Sequence, residues 1–249
     1  MIKLCETLGG SKAYGLDTLE SDSDIRYVFL NTEIFQIVGL GRYDYQDGIK
    51  NRNKDLFGFE LRHFFNLLKK ANTQCLELIW NKNWISCTNE WKEIQNHKNQ
   101  FTNPNKSYHS LKGYVLHERR LTNGERKGQI GFQRYEQVKK LGYSPKNGVQ
   151  AIRLLWTGVH LLIHNEYPVN VKEYNPNLWK LLMEIKTSPE NFNKDTINEI
   201  IDKYEKELDK TYEDNKNRIK DIKFNERLAN KLLLTLYYPI LNAEYNKQD

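Results

Sequence analysis

The chain has 249 residues, 28% charged and 39% hydrophobic, with a formal net charge of +6 and a pI near 9.0. No apolar run approaches the roughly 20 residues of a membrane span, and Gly9 and Gly10 stand where the apolar core of a signal peptide would be, so neither a membrane span nor a signal peptide is expected. Cys5, Cys75 and Cys87 form an odd set without a Cys-x-x-Cys pair, which argues against a disulfide framework or a structural zinc site and predicts a reducing, cytoplasmic setting.

Residues 1–8 predict a short helix or strand leading into a turn at Gly9-Gly10. Ile25, Tyr27, Val28, Phe29 and Leu30 predict a strand, being β-branched, aromatic or apolar throughout. Residues 39–53, rich in Gly, Asp, Asn and Tyr, predict an exposed loop or loose hairpin. Asp55-Leu56-Phe57-Gly58-Phe59 predicts the next core strand, followed by an amphipathic helix with Leu61, Phe64, Phe65 and Leu68 at i, i+3, i+4, i+7. Leu76, Leu78, Ile79 and Trp80 predict further core.

The polar, Asn/Pro-containing stretch 97–110 predicts a domain boundary, dividing the chain into 1–100 and 101–249. Beyond it, Val149, Ile152, Leu155, Trp156, Val159, Leu162 and Ile163 form an apolar stripe at helical spacing. Gln150, Arg153, Thr157, His160 and His164 form a polar stripe on the same helix, either a solvated face or the lining of a cleft. From Asn193 onward, two antiparallel helices are expected, broken near Phe224-Asn225. The fold class is therefore α+β: a small mixed-sheet domain, then a mainly helical one.

The chemistry-bearing residues cluster early. Gly9-Gly10-Ser11 is a small-residue turn, and Asp22 and Asp24 follow at i and i+2, a spacing that puts both carboxylates on one face of a strand. Neighbouring carboxylates repel unless a cation lies between them. Mg²⁺ is commonly held by one or two carboxylates plus phosphate oxygens, and glycine turns let backbone N–H groups approach phosphates. The pattern therefore predicts a site for Mg²⁺ and a triphosphate, with Gly10 and Ser11 on the phosphates; the bland alternative is a turn with a helix cap. Two-metal chemistry calls for a third carboxylate from a neighbouring strand. Asp55 is the candidate, with a helix cap as its bland alternative, and Glu60 is the substitute, which would serve equally as a first-turn acid. Glu77 reads as a buried structural acid. Arg26 falls on the same strand face as the acids, placed to orient them or to contact phosphate.

His160 and His164 have i, i+4 spacing but no third ligand beside them, so zinc is not expected. The densest cationic cluster is Arg119, Arg120, Arg126 and Lys127, near Tyr108, Tyr114, Phe132 and Tyr135. It predicts contact with single-stranded nucleic acid or an RNA end, against the alternative of a solvated loop. The basic net charge agrees with a polyanionic partner.

Residues 10–26 read Gly-Ser-Lys-Ala-Tyr-Gly-Leu-Asp-Thr-Leu-Glu-Ser-Asp-Ser-Asp-Ile-Arg. This string resembles nucleotidyltransferases of the DNA polymerase beta superfamily, and most closely their RNA-repair-pathway branch in bacteria and phages. The likeness continues more faintly through Asp55, Glu60-Leu61-Arg62, Asn72, Glu77-Leu78-Ile79-Trp80, Lys146 and Ile152-Arg153-Leu154, with Gln150 where the family usually has His. The resemblance implies a mixed-sheet nucleotidyltransferase domain followed by a helical domain. It implies Mg²⁺ or Mn²⁺ as cofactor, an NTP, with ATP expected, as substrate, and an RNA or tRNA 3′ end as acceptor. By the same resemblance Lys146 and Arg153 contact the triphosphate or the acceptor. The alternatives are AMP transfer to a protein, as in antitoxin-like relatives, and a non-catalytic nucleotide- or RNA-binding module.

Overall fold

A computed structural model describes residues 1–39, 46–50, 54–125 and 132–246. The chain forms two compact units, Met1–Asn103 with Lys223–Asp249, and Pro104–Ile222. It is an α+β protein.

The first unit is built on a five-stranded mixed sheet. β1 (Ile2–Leu8), β2 (Ser23–Leu30), β3 (Gln46–Lys50), β4 (Lys54–Glu60) and β5 (Trp84–Cys87) lie in the order β3-β4-β2-β1-β5. β2 runs antiparallel to β1, with Leu8 opposite Ile25, and parallel to β4, with Asp24 opposite Asp55. Ile25, Tyr27, Val28, Phe29 and Leu30 are all buried, as expected of a central strand covered on both faces. Gly58 on β4 admits the Tyr27 ring: a Cβ there would stand 2.2 Å from it. Of the stretch expected to be a loop or loose hairpin, Gln46–Lys50 is a strand paired with β4, and 40–45 and 51–53 lie outside the described residues.

Short helices α1 (Gly10–Ala13) and α2 (Ile34–Ile37) follow β1 and β2. α3 (Leu61–Lys69) buries Leu61, Phe64, Phe65 and Leu68, the four periodic positions. α4 (Thr73–Trp80), capped by Asn72, and α5 (Asn89–Asn96), capped by Thr88, complete this layer. Their aromatic rings interlock: Phe64 lies 5.5 Å from Trp91 and Phe65 5.1 Å from Phe101. The chain returns to this unit at its end, with Phe224 lying 5.5 Å from Phe101, ahead of α12 (Glu226–Tyr245).

Glu60 occupies the α3 N-cap, where its carboxylate accepts from the His63 N–H at 3.0 Å and from the Tyr237 hydroxyl of α12. It is fully buried, and burial raises its pKa, opposed by these hydrogen bonds. A carboxyl whose folded pKa is raised contributes stability below its unfolded value, near 4.5, and loses it as pH rises through the folded value. Glu60→Gln can keep both contacts, its carbonyl accepting from His63 and its amide donating to Tyr237. The stability of Glu60→Gln relative to wild type is expected to grow as pH rises from about 4.5. Urea midpoints of the two proteins across that range test this; parallel pH curves would contradict it.

In the second unit α6 (Pro104–Thr122), α8 (Pro145–His164) and α11 (Lys194–Ile219) pack together, with α10 (Pro176–Thr187) against α8 and α9 (Val171–Tyr174) against α10; α7 (Phe132–Leu141) precedes α8 in the chain. Gly158 of α8 lets the three long helices approach: a Cβ there would meet Leu208 at 2.8 Å and Leu111 at 3.1 Å. The α8 apolar stripe is buried except for Ile163. Its polar stripe is not uniformly solvated: Arg153 and Thr157 are fully buried, whereas His164 is exposed. The reason is that α8 is covered on several sides by α6, α10 and α11 at once. α11 and α12 flank the expected break at Phe224-Asn225.

Candidate active site

The turn between β1 and β2 brings the glycines against the acids. The Gly9 N–H donates to the Asp24 carbonyl at 2.8 Å. Gly10 then turns with φ of +58°, a conformation that glycine adopts freely. A Cβ on Gly10 would lie 1.9 Å from Asp24 Oδ2, so the turn and the carboxylate are in contact in a way that only glycine permits. Lys12, two residues on, donates from Nζ to Ser23 Oγ at 2.7 Å. Ser11 is half-buried on the same short helix, and its carbonyl accepts from the Leu16 N–H at 2.9 Å.

Asp24 and Asp55 are register partners on adjacent parallel strands. Adjacent strands lie about 4.8 Å apart and partnered side chains share a face, so the two carboxylates stand side by side. Arg26 stands with them. One guanidinium nitrogen is 3.9 Å from Asp24 Oδ1 and 3.7 Å from Asp55 Oδ2. The other donates to the carbonyls of Ile25 at 3.1 Å and Asp55 at 3.2 Å. All three side chains are partly open to solvent.

Asp22 differs from expectation in one respect. β2 begins at Ser23, so Asp22 is exposed and precedes the strand. The loop before it is organised locally, with Ser21 Oγ accepting from the Thr18 N–H at 2.8 Å. Among the described residues, no three or more His, Cys, Asp or Glu side chains are gathered as a metal ligand set. A pair of hard oxygen ligands beside an open turn still suits Mg²⁺, which keeps waters and takes substrate phosphates for its other positions. Asp24 and Asp55, both partly open to solvent beside the Gly9-Gly10 turn, fit that description. Glu60, at the far end of β4, is buried as a helix cap and lies away from this pair. Glu77 accepts from the Tyr14 hydroxyl at 2.7 Å and is half-buried.

The model of the RNA repair pathway DNA polymerase beta family matches residues 4–235. The chain belongs to that family. Membership makes it nucleotidyltransferase-like, in agreement with the turn and acids just described. A nucleotidyltransferase-like protein from Exiguobacterium sibiricum 255-15 is 13% identical, over 84% of this chain and 69% of that one, with a TM-score of 0.32. No curated protein matches the chain.

The other residues singled out from sequence lie in the second unit. Lys146 is exposed in the first turn of α8. Arg153 is buried on α8 and donates to Gln150 at 3.2 Å. Arg119 is engaged by α11, donating to Asp202 at 2.6 Å and to Asn198 at 3.2 Å. Tyr108 is likewise held by α11, stacked on Tyr212 at 3.9 Å and donating to Asp209 at 2.8 Å. Arg120 is exposed. Arg126 and Lys127 lie outside the described residues. His160 and His164 rings are 4.4 Å apart, and burial followed by His164 lowers the pKa of His160. Sequence reasoning missed Lys12: it sits inside the motif but carries no signal that its amine would reach Ser23. Among the described residues no helix is long and apolar enough to cross a membrane.

Proposed function

We propose that the protein is a divalent-metal-dependent nucleotidyltransferase that moves NMP from an NTP, ATP being the expected donor, to the 3′ hydroxyl of an RNA. The observation that carries this reading is the parallel pairing of Asp24 with Asp55 beside a glycine whose missing side chain leaves room for the Asp24 carboxylate. In this reading Asp24 and Asp55 hold Mg²⁺ or Mn²⁺, and Asp22, exposed at the start of β2, adds a third carboxylate. Bound there, the metal offsets triphosphate charge and acidifies the attacking hydroxyl. Gly10 and Ser11 hold the phosphates, and Arg26 orients the acids next to them. The new bond joins the acceptor oxygen to the α-phosphorus; the bond to pyrophosphate breaks, and the hydroxyl proton is lost to solvent. Lys146 and Arg153 are assigned to nucleotide binding by family resemblance alone.

The RNA side of the proposal rests on the basic charge and the family. Arg119 is committed to α11, so Arg119→Ala is expected to act on stability, by up to about 1 kcal/mol. Exposed Arg120 is the better phosphate contact: Arg120→Ala should weaken RNA binding and lower the salt slope by about one ion. Unchanged affinity across a salt series would remove Arg120 from the interface.

The test is to incubate the protein with each α-labelled NTP, Mg²⁺ or Mn²⁺, and either RNA or cell lysate. Label at RNA 3′ ends with matching pyrophosphate release is the expected result. Label on a polypeptide would replace the RNA acceptor with a protein, and the absence of both label and pyrophosphate would contradict the transferase itself.

A further inference from the structure

We propose that Arg26 is the resident counter-ion of the Asp24–Asp55 pair, and that it makes the site favour a metal–triphosphate complex over the free metal ion. The inference rests on the reading above that these acids hold the metal.

The guanidinium is built into place. Gly9 presents no side chain to the Arg26 stem, and a Cβ there would meet Arg26 Cγ at 3.0 Å. On the other side one terminal nitrogen donates to the carbonyls of Ile25 and Asp55. This anchoring is to backbone, so it does not depend on the charge of the acids. The second terminal nitrogen is thereby held 3.9 Å from Asp24 and 3.7 Å from Asp55. Those separations are ion pairs but longer than a hydrogen bond of about 2.9 Å. The charge of Arg26 therefore balances the acids while their oxygens stay available to a ligand.

The consequence is electrostatic. Asp24, Asp55 and Arg26 sum to −1, and the Asp22 carboxylate assigned above brings the site to −2. A free dication entering the pair meets the repulsion of a fixed positive charge a few ångströms away, in a site only partly screened by water. When the dication arrives on a triphosphate, the phosphate oxygens bring negative charge that Arg26 attracts. The same side chain that weakens free-metal binding then favours the complex. It also holds the two acids together when no metal is bound, which like charges otherwise resist. Arg26 is thus a positioning residue that sets which form of the metal the site accepts.

The experiment is a Mn²⁺ titration followed by electron paramagnetic resonance, with and without a non-hydrolysable ATP analogue. It compares wild type, Arg26→Gln, Arg26→Lys and the double variant Arg26→Gln/Asp24→Asn. Arg26→Gln is expected to bind free Mn²⁺ at least about tenfold more tightly than wild type. It should also lose most of the gain that the analogue gives wild type. Arg26→Lys, which keeps the charge but has one nitrogen where Arg26 uses two, should fall between wild type and Arg26→Gln, and Asp24→Asn should abolish the gain of Arg26→Gln. Should Arg26→Gln not fold, Arg26→Met supports the same comparison. Equal or weaker free Mn²⁺ binding by the neutral variants, with binding still dependent on Asp24, overturns the role of Arg26 and leaves the metal site standing. Absence of Asp24-dependent Mn²⁺ binding in every protein, with or without the analogue, overturns the metal site and this inference with it.

Discussion

Asp24→Asn is expected to leave the protein folded and to remove nucleotidyl transfer. The substitution preserves shape and deletes one negative charge. Asp24 is partly exposed and its ion pair with Arg26 spans 3.9 Å. Such pairs are worth no more than about 1 kcal/mol, and the Asp24 carbonyl that receives the Gly9 N–H is backbone, so it is retained. The thermal midpoint should therefore move by only a few degrees. The catalytic cost is of another size, because the acid would hold the metal that offsets negative charge building as the phosphoryl bond breaks. A loss of about a thousandfold or more in pyrophosphate release corresponds to about 4 kcal/mol of transition-state stabilisation. Activity within tenfold of wild type would remove Asp24 from catalysis, and a collapse of the fold would show that the acid is structural.

Gly10→Ala is expected to damage both stability and activity. Its φ of +58° disfavours any side chain. The added methyl would also fall 1.9 Å from Asp24 Oδ2, well inside contact distance. Either the carboxylate swings away or the turn shifts, and the turn is tied to β2 through the Gly9 N–H. Strain and overpacking together cost about 1–3 kcal/mol. A displacement of about 1 Å at a reacting centre costs about a hundredfold in rate. Gly9→Ala is the internal control. Gly9 has an ordinary extended conformation, with φ of −112°, and its Cβ would meet the Arg26 stem at 3.0 Å, not a carboxylate oxygen at 1.9 Å. It should be milder in both assays. Thermal melts and pyrophosphate release on the two variants decide this; equal effects would remove the special role of the Gly10–Asp24 contact.

Much of this site was legible because its chemistry demands particular residue types at particular spacings. The Gly-Ser turn, Asp24, and the strand-forming run Ile25–Leu30 all sit where the pattern puts them. Asp55 was readable as a strand residue, but its pairing with Asp24 depends on a parallel register set by tertiary packing. The strand begins one residue later than the i, i+2 spacing suggested. Ser21 organises the loop through Thr18, and Asp22 remains on the loop side of that boundary. In the helical unit, polar residues at helical spacing left a solvated face and the lining of a cleft both open. Arg153 and Thr157 are buried instead, because α8 packs against several helices, which periodicity along one helix does not reveal. Arg119 looked free to meet a phosphate for the same reason: the acids that engage it, Asp202 and Glu205, are distant in sequence and lie on α11. Residues 223–249 carry no local mark of the unit they join, and the buried contact of Tyr237 with Glu60 emerges only in three dimensions.

The most direct measurement is anomalous diffraction from crystals of the protein grown with Mn²⁺ and a non-hydrolysable ATP analogue. The account predicts an anomalous peak at the Asp24 and Asp55 carboxylates, with the triphosphate running past Gly10. A metal and nucleotide bound elsewhere, with Asp24 and Asp55 still turned only toward Arg26, would contradict it.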